Sequence, residues 1–325
     1  MNRNDLIYVA GHRGMVGASI VRALTRSGFT NLVTRTHAEL ALDNQAAARA
    51  FFEQVRPMYV LLGAARVGGI AANVRYAGDF IRDNLLIQTN VIDAAYRTGT
   101  RKLLFLASSC IYPKHATQPI TESSLLTGPL EPTNRPYAVA KIAGLEMCDA
   151  YRRQFGFDAI SVMPSNIYGV GDNFDPEDSH VVAGMMRRLH EAKATGAKSV
   201  TLWGTGTPLR ELTYCDDLAE ACIFLMENYS DEGPINVGSG EELSIRSLAE
   251  TMAKIVEYDG EILWDASRPD GTPRKVMDQG RIRSLGWYPK VTLAEGLRRT
   301  YDWWLSSIEE LASRFPSSST RPTPK

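Results

Sequence analysis

A tyrosine and a lysine four residues apart, in the stretch YAVAK, are the first residues whose types and spacing suggest catalysis. In a helix this spacing places Tyr137 and Lys141 on one face. Because a nearby ammonium group favours the phenolate, we expect Lys141 to lower the pKa of Tyr137 and make it a usable acid or base. Ser108, upstream in FLASSCIYPK, could donate a hydrogen bond to a substrate carbonyl. Such pairs also arise by chance in helices. The interpretation as a carbonyl-reducing site therefore needs support from a cofactor site elsewhere in the chain.

A glycine-rich turn near the start of the chain is a candidate for that cofactor site. The stretch VAGHRGMVG places Gly11, Gly14 and Gly17 between the first predicted strand and the first predicted helix. Glycines at such a turn let backbone N–H groups approach a pyrophosphate at the helix N-terminus. An ordinary strand-to-helix turn is the alternative, but the position in the first such turn favours a dinucleotide site that includes Met15 and Val16.

Basic residues near the predicted adenosine ribose favour NADP over NAD. The second predicted strand ends in TRTHAEL, so Arg35 and His37 stand where an acidic residue would favour a free 2′-hydroxyl. Arg13 lies within the glycine turn itself. The alternative is that these residues are solvated surface cations.

The elements that must position these residues alternate along the first half of the chain. Apolar runs such as LIYVAG and KLLFLASS predict strands, and longer stretches with helical spacing lie between them. This alternation predicts an α/β fold with a doubly wound parallel sheet and ligands beyond the carboxyl ends of the strands. We expect an NADP-binding domain over residues 1–170, with returning segments from about 211–240. A smaller α/β substrate domain over 171–310 and a disordered tail over 311–325 complete the prediction.

Composition excludes several other classes of protein. The chain has 325 residues and a net charge of −1, so it offers no broad attraction to nucleic acid or to an anionic membrane. Its first residues lack a signal-peptide pattern, and no window suggests a membrane span. The four cysteines show no C-x-x-C spacing, which argues against a metal site and favours a reducing compartment, so we expect a cytoplasmic protein.

Several blocks together resemble the extended short-chain dehydrogenase/reductase family, and within it the nucleotide-sugar enzymes of the GDP-L-fucose synthase family. The blocks are AGHRGMVG, VGGIAAN, SSCIYPK, EPTNRPYAVAKIAG, VMPSNIYG and RPDGTPRK. The resemblance spans roughly residues 5–305. It implies conversion of GDP-4-keto-6-deoxy-D-mannose to GDP-L-fucose, by epimerisation at C3 and C5 and reduction of the C4 ketone with NADPH. It also implies a homodimer formed by the helices around 80–97 and 137–155.

Position by position, the resemblance implies roles for specific residues. Ser108, Tyr137 and Lys141 would form the reductive triad, and Cys110 and His180 the epimerising pair. The cofactor would also contact these residues: Lys141, Pro164, Asn166, Ile167 and His180. The GDP-sugar would contact Arg188, Trp203, Arg210 and Asp270. For three of these four the alternatives are a solvated helix face for Arg188, a core position for Trp203 and a turn-stabilising role for Asp270, whereas Arg210 is the safest assignment.

Chemistry supports a thiol and an imidazole as an epimerising pair. The protons on C3 and C5 are both α to the ketone, so removing either gives an enolate whose oxygen needs donors such as Ser108 and Tyr137. Inversion requires one proton to leave and another to arrive on the opposite face, and Cys110 and His180 suit that task. Taken alone, a cysteine such as Cys110 is more often a buried, inert thiol, as we read the other three cysteines.

Other activities on the same fold remain alternatives. A dehydratase would need an acidic pair where this chain has Ser109 and Cys110, whereas a synthase of a 3,6-dideoxy sugar such as colitose could keep both Cys110 and His180. A scaffold that only binds NADP commonly loses the tyrosine or the lysine of the triad. Two departures from the family pattern are His37, often arginine, and Val170–Gly171, usually a proline-histidine pair.

Overall fold

The chain begins with a short strand, and strands and helices then alternate. The computed structural model describes residues 1–176, 179–268, 270 and 272–314. Their strands are β1 (Ile7–Ala10), β2 (Leu32–Val33), β3 (Tyr59–Leu62), β4 (Lys102–Leu106), β5 (Asp158–Pro164), β6 (Asn166–Tyr168), β7 (Ser199–Trp203), β8 (Leu209–Tyr214), β9 (Pro234–Val237), β10 (Glu242–Ser244), β11 (Glu261–Asp265) and β12 (Arg274–Lys275). Their α-helices are α1 (Met15–Arg26), α2 (Gln45–Val55), α3 (Ile70–Arg75), α4 (Ala77–Arg97), α5 (Arg135–Phe155), α6 (Val181–Ala194), α7 (Cys215–Asn228), α8 (Ile245–Val256), α9 (Gly280–Ser284) and α10 (Leu293–Arg314).

A parallel sheet organises the first lobe. Within the described residues, six strands lie in the order β2-β1-β3-β4-β5-β9, and every neighbouring pair is parallel. The order reverses at β1, because the chain passes from β2 on one side of it to β3 on the other. In such sheets ligands bind beyond the carboxyl ends at this reversal. The predicted doubly wound parallel sheet is confirmed.

Local sequence explains these elements. β1 and β3 are short runs of buried residues, IYVA and YVLL, as parallel strands covered on both faces require. Helix α1 follows the glycine turn and buries Ile20, Ala23 and Leu24 against the sheet. Helix α5 ends at Gly156, whose φ of +68° is a left-handed conformation that glycine adopts without strain.

Apolar cores on both faces of the sheet fix the strand ends that carry the site. One core packs α2, α4 and α5 against the sheet and includes Phe52 and Phe105. The other packs α1 and α7 and includes Ile20 and Leu225. Full burial of one such side chain stabilises the fold by roughly 1.5–3 kcal/mol, so these layers resist movement of the strands.

The second lobe follows β5. It contains a sheet in which β10, β8 and β12 are neighbours and β6 pairs with β8, together with a two-stranded sheet of β11 and β7. Its core lies among α6, α8 and α10. Two elements from the range 211–240 lie in the first lobe instead, since α7 packs on α1 and β9 pairs with β5.

The end of the chain differs from the prediction. Helix α10 continues through Arg314, so residues 311–314 are helical although they fall in the predicted tail. No glycine or proline interrupts the chain between Leu297 and Pro316, so nothing in the sequence ends the helix earlier. Residues 315–325 lie outside the described residues. Among those that are described, no helix is long and apolar enough to cross a membrane.

Candidate active site

The turn between β1 and α1 requires glycine at two positions. Gly11 has a φ of +85°, and a Cβ there would lie 2.7 Å from the backbone nitrogen of Ala64. A Cβ on Gly17 would lie 2.1 Å from the carbonyl oxygen of Gly11. Gly14 is the N-cap residue of α1 and has no side chain to cap it. The first N–H groups of α1 are therefore left for an anion, as a pyrophosphate site requires.

A cavity of about 670 Å³ opens at this turn. All but one of the turn and ribose residues predicted to bind the cofactor line it: Gly11, Gly14, Met15, Val16, Gly17, Arg35 and His37. Arg35 follows β2 by two residues, and its guanidinium carbon lies 5.6 Å from the Phe51 ring centroid. Arg13 is exposed and is not among the lining residues, so the structure does not bring this predicted contact into the cavity.

A second cavity of about 390 Å³ adjoins the first and shares Met15, Val16 and His180 with it. All five predicted catalytic side chains line this second cavity: Ser108, Cys110, Tyr137, Lys141 and His180. The predicted cofactor contacts Pro164, Asn166 and Ile167 line it as well. We call it the catalytic cavity and the larger one the cofactor cavity.

The end of β4 and the start of α5 place the predicted triad. After β4 the chain turns through a short 3-10 helix, and the hydroxyl of Ser108 accepts the N–H of Cys110 at 3.4 Å. Tyr137 and Lys141 lie in the first two turns of α5. Nζ of Lys141 donates a hydrogen bond to the carbonyl oxygen of Leu106 at 2.9 Å, which ties α5 to the end of β4.

The electrostatics of the triad differ from the expectation. Burial raises the pKa of Tyr137, although the hydroxyl of Ser108 opposes the shift. Burial also lowers the pKa of Lys141 to about 8. The net shift of the Tyr137 pKa is opposite to the one that the sequence suggested, because burial outweighs the effect of Lys141, whose Nζ donates to a backbone carbonyl and lies 5.8 Å from the Tyr137 ring centroid. The phenol therefore stays protonated near neutral pH, which is the form needed to donate a proton.

Cys110 is buried but faces the catalytic cavity. Burial raises its pKa, and the charges of Lys275 and Lys141 and the hydroxyl of Ser108 oppose that shift. Cys148 and Cys222 lie in the apolar cores, where burial raises their pKa to about 12 and no lysine offsets it. The contrast sets Cys110 apart from Cys148 and Cys222, two of the three cysteines that we read as inert.

Lys275 is a cavity residue that the sequence reasoning missed. It lies on β12, pairs in register with Arg210 on β8, and lines the catalytic cavity. The pKa of Lys275 is lowered by burial, and Cys110 opposes that shift. It stands in the quoted block RPDGTPRK, but nothing in its local sequence separates it from a surface lysine. The position depends on a strand pairing between distant segments.

The loop after β3 forms the other wall and was also missed. Residues 63–68 line the cofactor cavity, and the amide oxygens of Asn73 and Asn134, on the edge of the catalytic cavity, are buried without a partner among the described residues. The rule that ligands lie beyond the carboxyl ends of parallel strands could have found the loop, since it directly follows β3.

The predicted substrate residues occupy the second lobe, outside the lining of the catalytic cavity. Trp203 is 58% exposed, and the guanidinium carbons of Arg188 and Arg268 lie 4.7 and 5.0 Å from its ring centroid. Arg210 neighbours Lys275 across the strand pair. The carboxylate of Asp270 accepts hydrogen bonds from the N–H and the hydroxyl of Thr205 at 2.7 and 2.8 Å, which is the turn-stabilising role.

Fold and site together define an enzyme of the doubly wound α/β class with a dinucleotide-type cavity beside a cavity lined by a serine, a tyrosine and a lysine. The chain belongs to the NAD dependent epimerase/dehydratase family, whose model matches residues 7–238. It is 59% identical over 307 residues to GDP-L-fucose synthase 1 of Arabidopsis thaliana, covering 94% of this chain and 95% of that one. It is 50% identical to GDP-L-fucose synthase of Escherichia coli K12, covering 93% and 97%. A GDP-L-colitose synthase of Yersinia pseudotuberculosis is 34% identical, covering 92% and 98%.

Solved structures agree with this placement. A GDP-6-OMe-4-keto-L-xylo-heptose reductase from C. jejuni superposes with a TM-score of 0.88 at 37% identity, covering 94% of this chain and 99% of that one. A GDP-L-fucose synthetase from Naegleria fowleri bound to NADP superposes with a TM-score of 0.87 at 27% identity, covering 95% and 96%.

Proposed function

We propose that this protein converts GDP-4-keto-6-deoxy-D-mannose to GDP-L-fucose, by epimerising C3 and C5 and then reducing the C4 ketone with NADPH. The observation that carries the proposal is the catalytic cavity, which gathers a proton-donating triad and a thiol–imidazole pair beside the cofactor cavity. Full-length relatives at 50% and 59% identity named GDP-L-fucose synthase support the substrate.

The cofactor cavity fits NADP(H). The turn whose glycines admit no Cβ would hold the pyrophosphate at the N-terminus of α1, and Arg35 with His37 would hold the 2′-phosphate. When bound, the nicotinamide supplies a hydride to C4. Pro164, Asn166 and Ile167 line the cavity that the reacting ring would share with the sugar.

Reduction uses the triad at the C4 oxygen. Ser108 donates a hydrogen bond to the ketone, and this bond strengthens as negative charge develops on the oxygen. Tyr137, whose raised pKa keeps the phenol neutral, gives its proton to that oxygen. Lys141, held by the carbonyl of Leu106, lies close enough to stabilise the phenolate that remains.

Epimerisation uses the same oxygen and two further groups. One member of the pair Cys110 and His180 removes the proton from C3 or C5, and the electrons move onto the C4 oxygen to give an enolate. Ser108 and Tyr137 stabilise this enolate by donating hydrogen bonds. A proton then returns to the carbon from the opposite face, supplied by the other member of the pair, and the ketone reforms.

Turnover in heavy water tests this function. We expect the wild-type enzyme to incorporate deuterium at C3 and C5 before reduction, with a product that NMR identifies as GDP-L-fucose. Cys110→Ser should lose the exchange and still reduce a pre-epimerised ketone, whereas Tyr137→Phe should keep some exchange and slow hydride transfer. Unchanged exchange in Cys110→Ser would remove the thiol from the mechanism. Preferential turnover of the corresponding 4-keto-3,6-dideoxy sugar nucleotide to a colitose-type product would show that the proposed substrate is wrong.

We also propose a cytoplasmic homodimer. The four cysteines are free, as a reducing compartment would keep them. Helices α4 and α5 pack side by side, and Leu86, Val139 and Phe155 on them are 39–42% exposed. A second copy would cover these apolar side chains. Sedimentation equilibrium should give twice the mass of one chain. The double variant Leu86→Lys, Val139→Lys should give the mass of a single chain.

A further inference from the structure

One buried carboxylate beside the active site has no part in the chemistry described so far. Asp172 precedes α6, and its side chain is 4% exposed. Its Oδ1 atom accepts the N–H of Asn173 at 2.8 Å and lies 3.7 Å from Nδ1 of His180. Its Oδ2 atom is buried and has no hydrogen-bond partner in the part of the chain that the structure describes. A buried carboxylate in this state requires a nearby cation or donor.

His180 is placed to supply that partner. It is the N-cap residue of α6, yet its side chain makes no capping hydrogen bond. It lines both cavities, whereas Asp172 lines the cofactor cavity alone. The separation of 3.7 Å is an ion-pair distance and exceeds the roughly 2.7–3.2 Å of a direct hydrogen bond. Such contacts commonly shorten when substrate binds.

We propose that Asp172 is the positioning residue for His180: its carboxylate holds the imidazole with a proton on Nδ1, so that Nε2 exchanges a proton with the sugar. The inference rests on the proposed role of His180 in epimerisation. When Nε2 takes a proton from carbon, the imidazole becomes an imidazolium and Asp172 stabilises that charge. In this role Asp172 accepts the Nδ1–H of His180 and takes no part in the making or breaking of covalent bonds.

The charges around the two cavities make this carboxylate distinctive. Among the described lining residues of both cavities, Asp172 is the only carboxylate. The remaining titratable or charged lining groups are Arg35, His37, Arg66, Tyr76, Cys110, Tyr137, Lys141 and Lys275. The cations in that set oppose a charged imidazole. Interaction with Asp172 nevertheless raises the pKa of His180, against the opposing effect of burial.

A purely structural role for Asp172 would be to close the loop through the N–H of Asn173. Asparagine has an oxygen in the same place and could accept that bond, but it carries no charge. Asp172→Asn therefore separates loop closure from control of His180. Asp217 offers a matched control, because it is a buried carboxylate that accepts the N–H groups of Lys290 and Val291 and lines neither cavity.

The experiment uses the enzyme with NADP bound and 13C-labelled histidine, with the His180 resonance assigned from His180→Gln. In Asp172→Asn we expect the His180 pKa to fall, so the limb of the deuterium-exchange profile that His180 governs moves to lower pH. Exchange at C3 and C5 should slow by about 10- to 100-fold, as partial loss of a general acid–base contribution predicts. Asp172→Asn should still reduce a pre-epimerised ketone at near the wild-type rate. Asp217→Asn should exchange deuterium at C3 and C5 at near the wild-type rate.

Two results would overturn the inference: a His180 pKa unchanged in Asp172→Asn, or a further loss of exchange when Asp172→Asn is added to His180→Gln. If Asp172 acts through His180, the double variant should exchange no more slowly than His180→Gln alone. Failure of the proposed function looks different. Exchange unaffected by His180→Gln would remove His180 from epimerisation, whatever its pKa does in Asp172→Asn.

Discussion

The two lobes hold their functional side chains in different ways. In the first lobe Ser108 and Tyr137 stand at the end of a buried strand and the start of a long helix, and both elements pack in one core. In the second lobe Arg188, Trp203 and Lys275 come from a helix and two strands that meet only through tertiary contacts. The first arrangement follows from local sequence, whereas the second depends on pairings between distant segments. We therefore expect substitutions in the first lobe to affect folding and cofactor binding, and substitutions in the second to affect the substrate.

The largest effect should come from the glycine turn. Gly17→Ala places a Cβ 2.1 Å from the carbonyl oxygen of Gly11, so the turn must shift. We expect a loss of about 1–3 kcal/mol in the free energy of unfolding and a fall of more than about tenfold in NADPH affinity. Urea unfolding measures the loss of stability, and fluorescence titration with NADPH measures the loss of affinity.

Gly78→Ala is the control for that prediction. Gly78 is exposed near the start of α4, and a Cβ there meets nothing within 4 Å. Alanine should stabilise the helix by up to about 1 kcal/mol and leave NADPH affinity unchanged. If Gly17→Ala bound NADPH as well as Gly78→Ala does, the turn would not be the phosphate site.

A cation from the second lobe should control a thiol of the first. Lys275→Met removes a charge that opposes the raised pKa of Cys110, so that pKa should rise further. Alkylation of Cys110 near neutral pH should then slow several-fold, and its rate profile should move to higher pH. Lys193→Met serves as control, because Lys193 pairs with Glu257 and lines neither of the described cavities that contain Cys110. Equal alkylation profiles for wild type and Lys275→Met would show that the lobes act independently at this site.

The same contrast explains what the sequence could predict. Apolar runs and helical spacing predicted the sheet, its flanking helices and the positions of the triad. The strand-to-helix turn predicted Gly11 and Gly17, because such a turn requires glycine at these positions. The position of Lys275 and the contact between Arg268 and Trp203 could not be predicted that way, because they depend on strand pairing and loop packing. The predicted lowering of the Tyr137 pKa was wrong for a related reason. Spacing places Lys141 on the same face, but only the structure shows that the phenol is buried and that the lysine is bound to the carbonyl of Leu106.

Trp203 should sharpen the comparison from the other side. It is 58% exposed and its ring lies against the guanidinium groups of Arg188 and Arg268, so Trp203→Ala should change the free energy of unfolding by less than about 0.5 kcal/mol. If the ring holds the nucleotide, KM for the GDP-sugar should rise and the KM for NADPH should not. Asp270→Asn should give the opposite pattern, because it weakens the hydrogen bonds of a half-buried turn and should cost about 1 kcal/mol of stability. A stability loss in Trp203→Ala with an unchanged KM would make it a structural residue.

The smallest expected effect is a pH-dependent stability at the boundary between the lobes. The folded pKa of His180 is raised above its usual 6.5, so the protonated form is the one that folding stabilises. That contribution is fully present below pH 6.5 and is lost as pH rises through the folded pKa. Asp172→Asn removes its source, so the variant should be less stable than wild type at acidic pH and approach it at alkaline pH. Because the His180 side chain is 46% exposed, water screens the pair and the difference should stay below about 1 kcal/mol. Urea unfolding across that range measures it, and a difference that did not change with pH would mean that Asp172 stabilises the fold without the charge of His180.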